Sequence, residues 1–384
     1  MPRFTTTLAN LCRVQGLLER AVRHGREAVR LSPQFIEGHI NLGVALRDSG
    51  QISAALQSYE RAIQLQPDNA EAHWNRALAL LSQGDYRQGW QEYEWRWKRR
   101  GHELRRFEQP TWDGSPLQGR TILLHAEQGI GDTLQFVRYA PLVKHRGGKV
   151  LLECQTELVR LLRTCEGVDD VIARGTAMPE FDVHASIMSL PRIFDTTIEN
   201  LAAQLPYLAA NTDRLLELRS ALDVSSKLNV GIVWRGNPAH QNDRFRSLRL
   251  TQLLPLAQLP GVRLYSLQKG VGREELAALA TPSNIVDLAD SLEDFYDTAA
   301  VVANLDLVIG CDTSVVHLAG ALAVPTWVLL SAAADWRWLQ TRKDSPWYPS
   351  VKLFRQQSLG NWDDVIQAAT QSLAQLVIGG RAGL

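Results

Sequence analysis

The chain has 384 residues, length enough for two or three domains with real cores. Lysine plus arginine and aspartate plus glutamate number 41 each, so no global field draws the protein to nucleic acid or to an anionic membrane surface. Four cysteines without CxxC spacing fit a reducing compartment with buried thiols. No apolar run reaches the ~18 residues of a membrane span and no signal segment is evident, so the expected location is cytoplasmic.

The first hundred residues repeat with a period of 34. Pro33 recurs as Pro67, Ala28 as Ala62, Tyr59 as Tyr93, and Gly16 as Gly50 and Gly84. Within one unit Ile52, Ala55, Leu56, Tyr59 and Ile63 make one helical apolar face. Period and small/large pattern resemble tetratricopeptide repeats, with a weak first unit in which Gly25 stands where later units have tyrosine. Such an array either binds a protein partner or acts as a rigid spacer, and both readings stand. Trp90, Trp95 and Trp97 then break the pattern, and the expectation is a docking face for the next domain. The basic run Arg96, Lys98, Arg99, Arg100, Arg105 and Arg106 reads as a solvated helix end and linker.

From Pro110 the chain alternates strand and helix. Thr121–His125, Lys149–Cys154, Asp170–Ala173 and Phe181–His184 are expected strands, and 132–143 is an expected helix interrupted by Pro141. Gly129-x-Gly131 lacks the third glycine of a dinucleotide fingerprint, since Leu134 stands there. Asp132 with Gln135 reads as a capping box. A carboxylate at that place can also serve as a general base, and the two roles are compatible.

A second unit of the same kind follows. Strands are expected at 229–233, 263–267, 285–288, 305–310 and 326–330, with loops carrying Arg244, Arg246 and Gln268 after the first two. Its centre is Leu305–Ser331, where a buried strand leads through Asp312, Thr313 and Ser314 into a short helix bearing His317. Orphan amides and the helix dipole make such a tip a phosphate site. The tryptophans of 336–338 and 347 are expected to pin a loop to its own domain. The chain contains no DxD, GxSxG or GxxxxGK[ST] pattern and no cysteine-histidine metal motif, so the expected site is metal-free and without a cofactor.

The run Asp312-Thr313-Ser314-Val315-Val316-His317-Leu318-Ala319-Gly320-Ala321-Leu322-Ala323-Val324-Pro325 is similar to the D-T-G-x-x-H-x-A-x-A-x-G-x-P signature of bacterial heptosyltransferases, and Gly131-Asp132 resembles their G-D motif. The whole chain resembles bacterial proteins in which tetratricopeptide repeats precede a domain like those of glycosyltransferase family 9. That resemblance implies repeats at 1–107, an acceptor-side Rossmann-like domain at 108–225 and a donor-side one at 226–384, together the GT-B fold. It implies inverting, metal-independent transfer from a nucleoside-diphosphate sugar to a glycan or protein hydroxyl. The base falls on Asp132 and the donor-phosphate contacts on Asp312, Thr313, Ser314 and His317. The family's phosphate-binding lysine has no match, leaving Arg246 or Arg244 as its stand-in, and Gln268 stands where the nucleoside is contacted. Ser314 and Ala323 replace the two motif glycines. A non-catalytic scaffold and a protein O-glycosyltransferase remain the alternatives.

Overall fold

A computed structural model of the chain describes residues 2–99, 101, 105, 107–201, 205–219, 222, 228–240, 242–279 and 284–379. Arg100 and Arg106 of the basic run, and the stretch around the expected 225/226 boundary, lie outside them. The repeats form three antiparallel helix pairs: α1 (Pro2–Val14) with α2 (Leu18–Leu31), α3 (Ile36–Asp48) with α4 (Ile52–Leu65), and α5 (Ala70–Gln83) with α6 (Tyr86–Tyr93). Gly16, Gly50 and Gly84 turn the chain within each pair, with φ of +78°, +77° and +85°, a region costly for any residue with a Cβ. Tyr59 is wholly buried against Gly43, where a Cβ would lie 2.4 Å from its ring. In the first unit Gly25 instead admits Leu42. The missing tyrosine is thus compensated by a leucine from the next helix.

Two parallel sheets follow. The first holds β1 (Thr121–His125), β2 (Lys149–Cys154), β3 (Asp170–Ala173) and β4 (Val183–Ser186) in the order β3-β2-β1-β4. The second holds β5 (Leu228–Val233), β6 (Val262–Ser266), β7 (Ile285–Asp287), β8 (Leu307–Cys311), β9 (Thr326–Leu330) and β10 (Val351–Arg355) in the order β10-β9-β8-β5-β6-β7. Central strands are buried along their length, as parallel strands covered on both faces must be. Each order reverses beside the lobe's first strand, between β1 and β4 and between β5 and β8. At such a switch point the flanking connections diverge to opposite faces and leave a crevice.

Three expectations are corrected. The fourth strand begins at Val183, because Phe181 packs edge-on to Phe107 over the face of the sheet instead of pairing in it. The helix expected over 132–143 is broken. α7 (Ile130–Phe136) ends in a tight turn at Val137–Tyr139, and Pro141 sits in the first turn of a new helix, Ala140–Lys144, where its missing N–H costs nothing. β10 is a strand beyond those expected; its short alternating run follows directly on a proline-rich loop.

The array docks on both lobes. Trp90 of α6 lies in a nest of rings with Tyr86, Phe136, Trp336 and Trp347, centroids 5.2–6.4 Å apart, and Trp347 Nε1 donates to Tyr86 Oη at 2.9 Å. Trp336 and Trp347 thus also pin their loops to the repeats, whereas Trp338 stays within its own domain as expected, stacked on His317. Trp95 does not join the junction: it stacks on His73 within the array at 3.9 Å. Arg96 is buried and forks onto Glu127 of the first lobe, Nε to Oε1 at 2.6 Å, while Nη1 reaches Glu94 at 2.6 Å and Nη2 reaches Ser189 at 2.7 Å. One member of the expected solvated run is thus a buried latch.

Candidate active site

The two switch points face each other. α7 begins at Gly129, whose extended backbone (φ −73°, ψ 169°) makes it the N-cap. Asp132 is accordingly the third helical residue, and its Oδ2 accepts the Gly129 N–H at 2.8 Å. The capping carboxylate is present, but three residues inside the helix rather than at its start, because the glycine turn needs no side chain to begin it. Gln135 takes no part in capping; its Oε1 accepts from Arg337 Nε at 2.6 Å.

Opposite stands the helix Ser314–Ala321, N-capped by Thr313. A Cβ on Gly131 would come within 2.9 Å of His317 Cδ2, so this glycine is what allows the two helix tips to meet. Thr313 is buried, and its Oγ1 has no hydrogen-bond partner. The N–H groups of Ser314 and Val315 lie in the first helical turn and have no intrahelical acceptor. An unmade bond of this kind costs about 1–3 kcal/mol, which a bound oxyanion would recover.

Asp312 and His317 face each other beside the helix tip. His317 is buried, stacked on Trp338 and bonded through Nδ1 to Tyr348 Oη at 3.0 Å; its Nε2 lies 3.7 Å from Asp312 Oδ1. Burial pushes the Asp312 carboxyl up, but His317 and Arg246 outweigh it and hold the group below the usual carboxylate range. Arg246 Nη1 donates to the Asp312 carbonyl at 3.1 Å, and its Nε pairs with Asp243 at 3.2 Å. That places a guanidinium beside the helix tip.

Asp132, Gln268, Arg246, Asp312, Thr313, Ser314 and His317 all line one cleft of about 1230 Å³. Arg244 does not: it is exposed, its guanidinium lying over the Phe245 ring at 4.4 Å. Of the two stand-ins for the lysine, Arg246 is the one in the cleft. Gln268 is buried with its amide committed, Oε1 accepting from the Trp234 and Arg235 N–H groups at 3.1 and 2.9 Å and Nε2 donating to the Val271 carbonyl at 2.8 Å. It ties two loops together and has no free polar edge for a base. Ala323, just past the helix, has φ +58°, so the second glycine replacement places a side chain in a left-handed residue.

Sequence reasoning missed Arg337. It sits after β9 and pairs through Nη2 with Asp132 Oδ1 and through Nη1 with Asp335 at 2.8 Å. Burial disfavours its charge, but Asp335 and Asp132 prevail and raise its pKa further. The signal available was position, since Arg337 follows a buried strand's carboxyl end, where open α/β sheets collect ligand groups.

Fold and site together define a helical-repeat protein with a two-lobed, Rossmann-like cleft. Residues 45–84 match the family model of the TPR repeat. Protein FlbA of Caulobacter vibrioides is 28% identical over 295 residues, 70% of this chain and 49% of FlbA, so the chain spans about half the length of that curated relative. A glycosyl transferase of family 9 from Veillonella parvula superposes over 70% of this chain and 100% of its own, with a TM-score of 0.50 and 8% identity. The ADP-heptose lps heptosyltransferase II of E. coli covers 67% of this chain and 99% of its own, with 13% identity and a TM-score of 0.48. The described residues thus form a helical array, matching the TPR repeat over 45–84, followed by a two-lobed fold like that of the Veillonella parvula glycosyl transferase. Among the described residues no helix is long and apolar enough to cross a membrane.

Proposed function

We propose that the chain is a glycosyltransferase that moves a sugar from a nucleoside-diphosphate donor to an acceptor hydroxyl in one inverting displacement, without a metal or organic cofactor. The observation that carries this reading is the buried, unpartnered Thr313 hydroxyl at a helix tip facing Asp132. Asp132 takes the acceptor proton as the new bond forms between acceptor oxygen and anomeric carbon. The bond from that carbon to the diphosphate oxygen breaks, and its electron pair leaves with the nucleoside diphosphate. Charge gathers there on the leaving oxygen, where the Thr313 hydroxyl, the Ser314 and Val315 amides and Arg246 offset it. His317 and Asp312 hold the tip in place, and Arg337 fixes the direction of the base. The resemblance of the 312–325 motif to heptosyltransferases and the shared fold support this reading.

A thermal-shift screen against nucleoside diphosphates tests the donor site: at ~100 Kd a ligand stabilises by roughly 2.7 kcal/mol. Asp132→Asn is expected to abolish transfer while nucleotide affinity stays nearly intact. A variant with wild-type turnover removes Asp132 from the role of base, and absence of any nucleotide shift favours the scaffold alternative.

A further inference from the structure

The array is one wall of the cleft. At its first turn Gly16 lies against the second lobe, where a Cβ would meet the Phe245 ring at 3.4 Å and Leu359 at 3.7 Å. At its far end Ser82 of α5 accepts from Gln340 Nε2 at 3.5 Å. Between these two contacts Arg47, Asp48, Gly50 and Leu78 line the same space as Asp132 and Thr313. A volume of about 1230 Å³ exceeds the roughly 300–1,000 Å³ of a pocket for one small ligand, so the cleft has room for two substrates. The loops after β5, β6 and β8 surround the helix tip. The half walled by the repeats, the loop after β9 and Arg355 at the end of β10 is left for the acceptor.

Around that half four guanidinium groups, Arg47, Arg337 and Arg355 in the lining and Arg13 behind Asp48, stand against three carboxylates, Asp48, Asp132 and Asp335. Asp48 is bracketed by two guanidinium groups, Arg13 Nη1 on Oδ2 at 3.1 Å and Arg47 Nη2 on Oδ1 at 3.2 Å. Arg47 Nη1 also donates to Asn75 at 3.2 Å, and Arg13 Nε is buried without a partner. Arg355, at the end of β10, donates only to the carbonyls of Trp338 and Leu339, both at 3.0 Å, and pairs with no carboxylate among the described residues. Burial lowers its pKa to about 10. The nearby acid Asp335 is already held by Arg337.

We propose that this half of the cleft receives a carboxylate carried by the acceptor beside its hydroxyl, and that Arg47, a residue of the repeat array, is the specificity-determining group that reads it. The proposal rests on the transferase reading and places the repeats inside the reaction site rather than beside it. A forked guanidinium suits a planar carboxylate better than any point charge. The carboxylate has two possible sources, a sugar acid or an acidic residue next to a serine.

Tryptophan-fluorescence titration of the full chain separates them with two matched probe pairs, glucuronic acid against glucose and a Ser-Glu peptide against its Ser-Gln counterpart, each with and without nucleoside diphosphate. One acidic member should bind about tenfold more tightly than its neutral partner, and the pair that shows this names the source. Arg47→Gln should bring the preference within about twofold, Arg47→Lys should keep part of it, and Arg355→Gln should weaken it. Arg30→Gln, an exposed change on α2, should leave it as it was. A preference that survives Arg47→Gln in a protein with native melting, or equal binding within both pairs, overturns the proposal. Acid preference without any nucleotide binding would instead sink the transferase reading while leaving this anion site standing.

Discussion

Replacing Gly131 by alanine sets two effects of opposite sign against each other. Alanine in a helix is worth about 0.5–1 kcal/mol over glycine through backbone entropy. Against this, the new methyl would lie 2.9 Å from His317 Cδ2 and 3.6 Å from the Ser314 Cα. The imidazole cannot retreat easily, being stacked on Trp338 and tied to Tyr348. Overpacking of this kind costs about 1–3 kcal/mol, so the net expectation is a loss between about 0 and 2.5 kcal/mol, centred on about 1 kcal/mol. The strain falls on the gap between the two helix tips, so nucleoside-diphosphate affinity should fall together with melting temperature. A double-mutant cycle checks the cause: in a His317→Ala background the alanine should cost nothing or stabilise, because the obstructing ring is gone. A Gly131→Ala protein that melts higher than wild type and binds nucleotide unchanged would mean that the His317 ring does not obstruct a side chain at this position.

Three further outcomes follow from the same geometry. Thr313→Val should weaken nucleoside-diphosphate binding roughly 10- to 100-fold, the worth of one hydrogen bond to a charged group, while the melting temperature of the free protein holds or rises because the lost hydroxyl had no partner; calorimetric titration beside a melt reads both. Arg96→Ala should destabilise by about 3–5 kcal/mol, since it strands Glu127 between array and lobe, and proteolysis near 94–127 should accelerate. His125 is held neutral, burial first and then His184 and Arg105 pushing its pKa down to about 3. The unfolded chain takes up that proton first, near pH 6.5, so stability is lost as pH falls from 6.5 toward 3. Between pH 7 and pH 5 the loss from this residue should be about 2 kcal/mol, and denaturant melts of a His125→Leu variant should lack it.

Much of the architecture was legible because its signals are local. A 34-residue period announces repeats wherever it occurs, and a short valine- and isoleucine-rich run bounded by turns, as at 230–233 or 308–310, has the composition of a buried parallel strand. The helix tip at Thr313 was legible for the same reason, since strand, cap residues and helix follow one another directly. What the sequence hid was pairing at a distance. Arg337 meets Asp132 across 205 positions, and Arg47 enters the cleft only because the array curls back over it. Nothing local reveals that the Gln268 amide, though it lines the cleft, is held by the Trp234–Arg235 backbone. Where Asp132 stands in its helix turned on Gly129, whose backbone starts the helix without a side-chain signal.

The ring nest around Trp90 also bears on how such a protein can change over evolutionary time. With Tyr86, Trp90, Trp336 and Trp347 sharing one apolar junction, the α5–α6 pair is as much a part of the lobes as of the array. Shedding or swapping that pair would strip the cover from the lobes' own tryptophans and leave an adhesive surface. The α1–α2 turn is tied more lightly, with Phe245 and Leu359 of the second lobe against Gly16, so a change of repeats at that end would bare the cleft wall but leave the ring nest sealed.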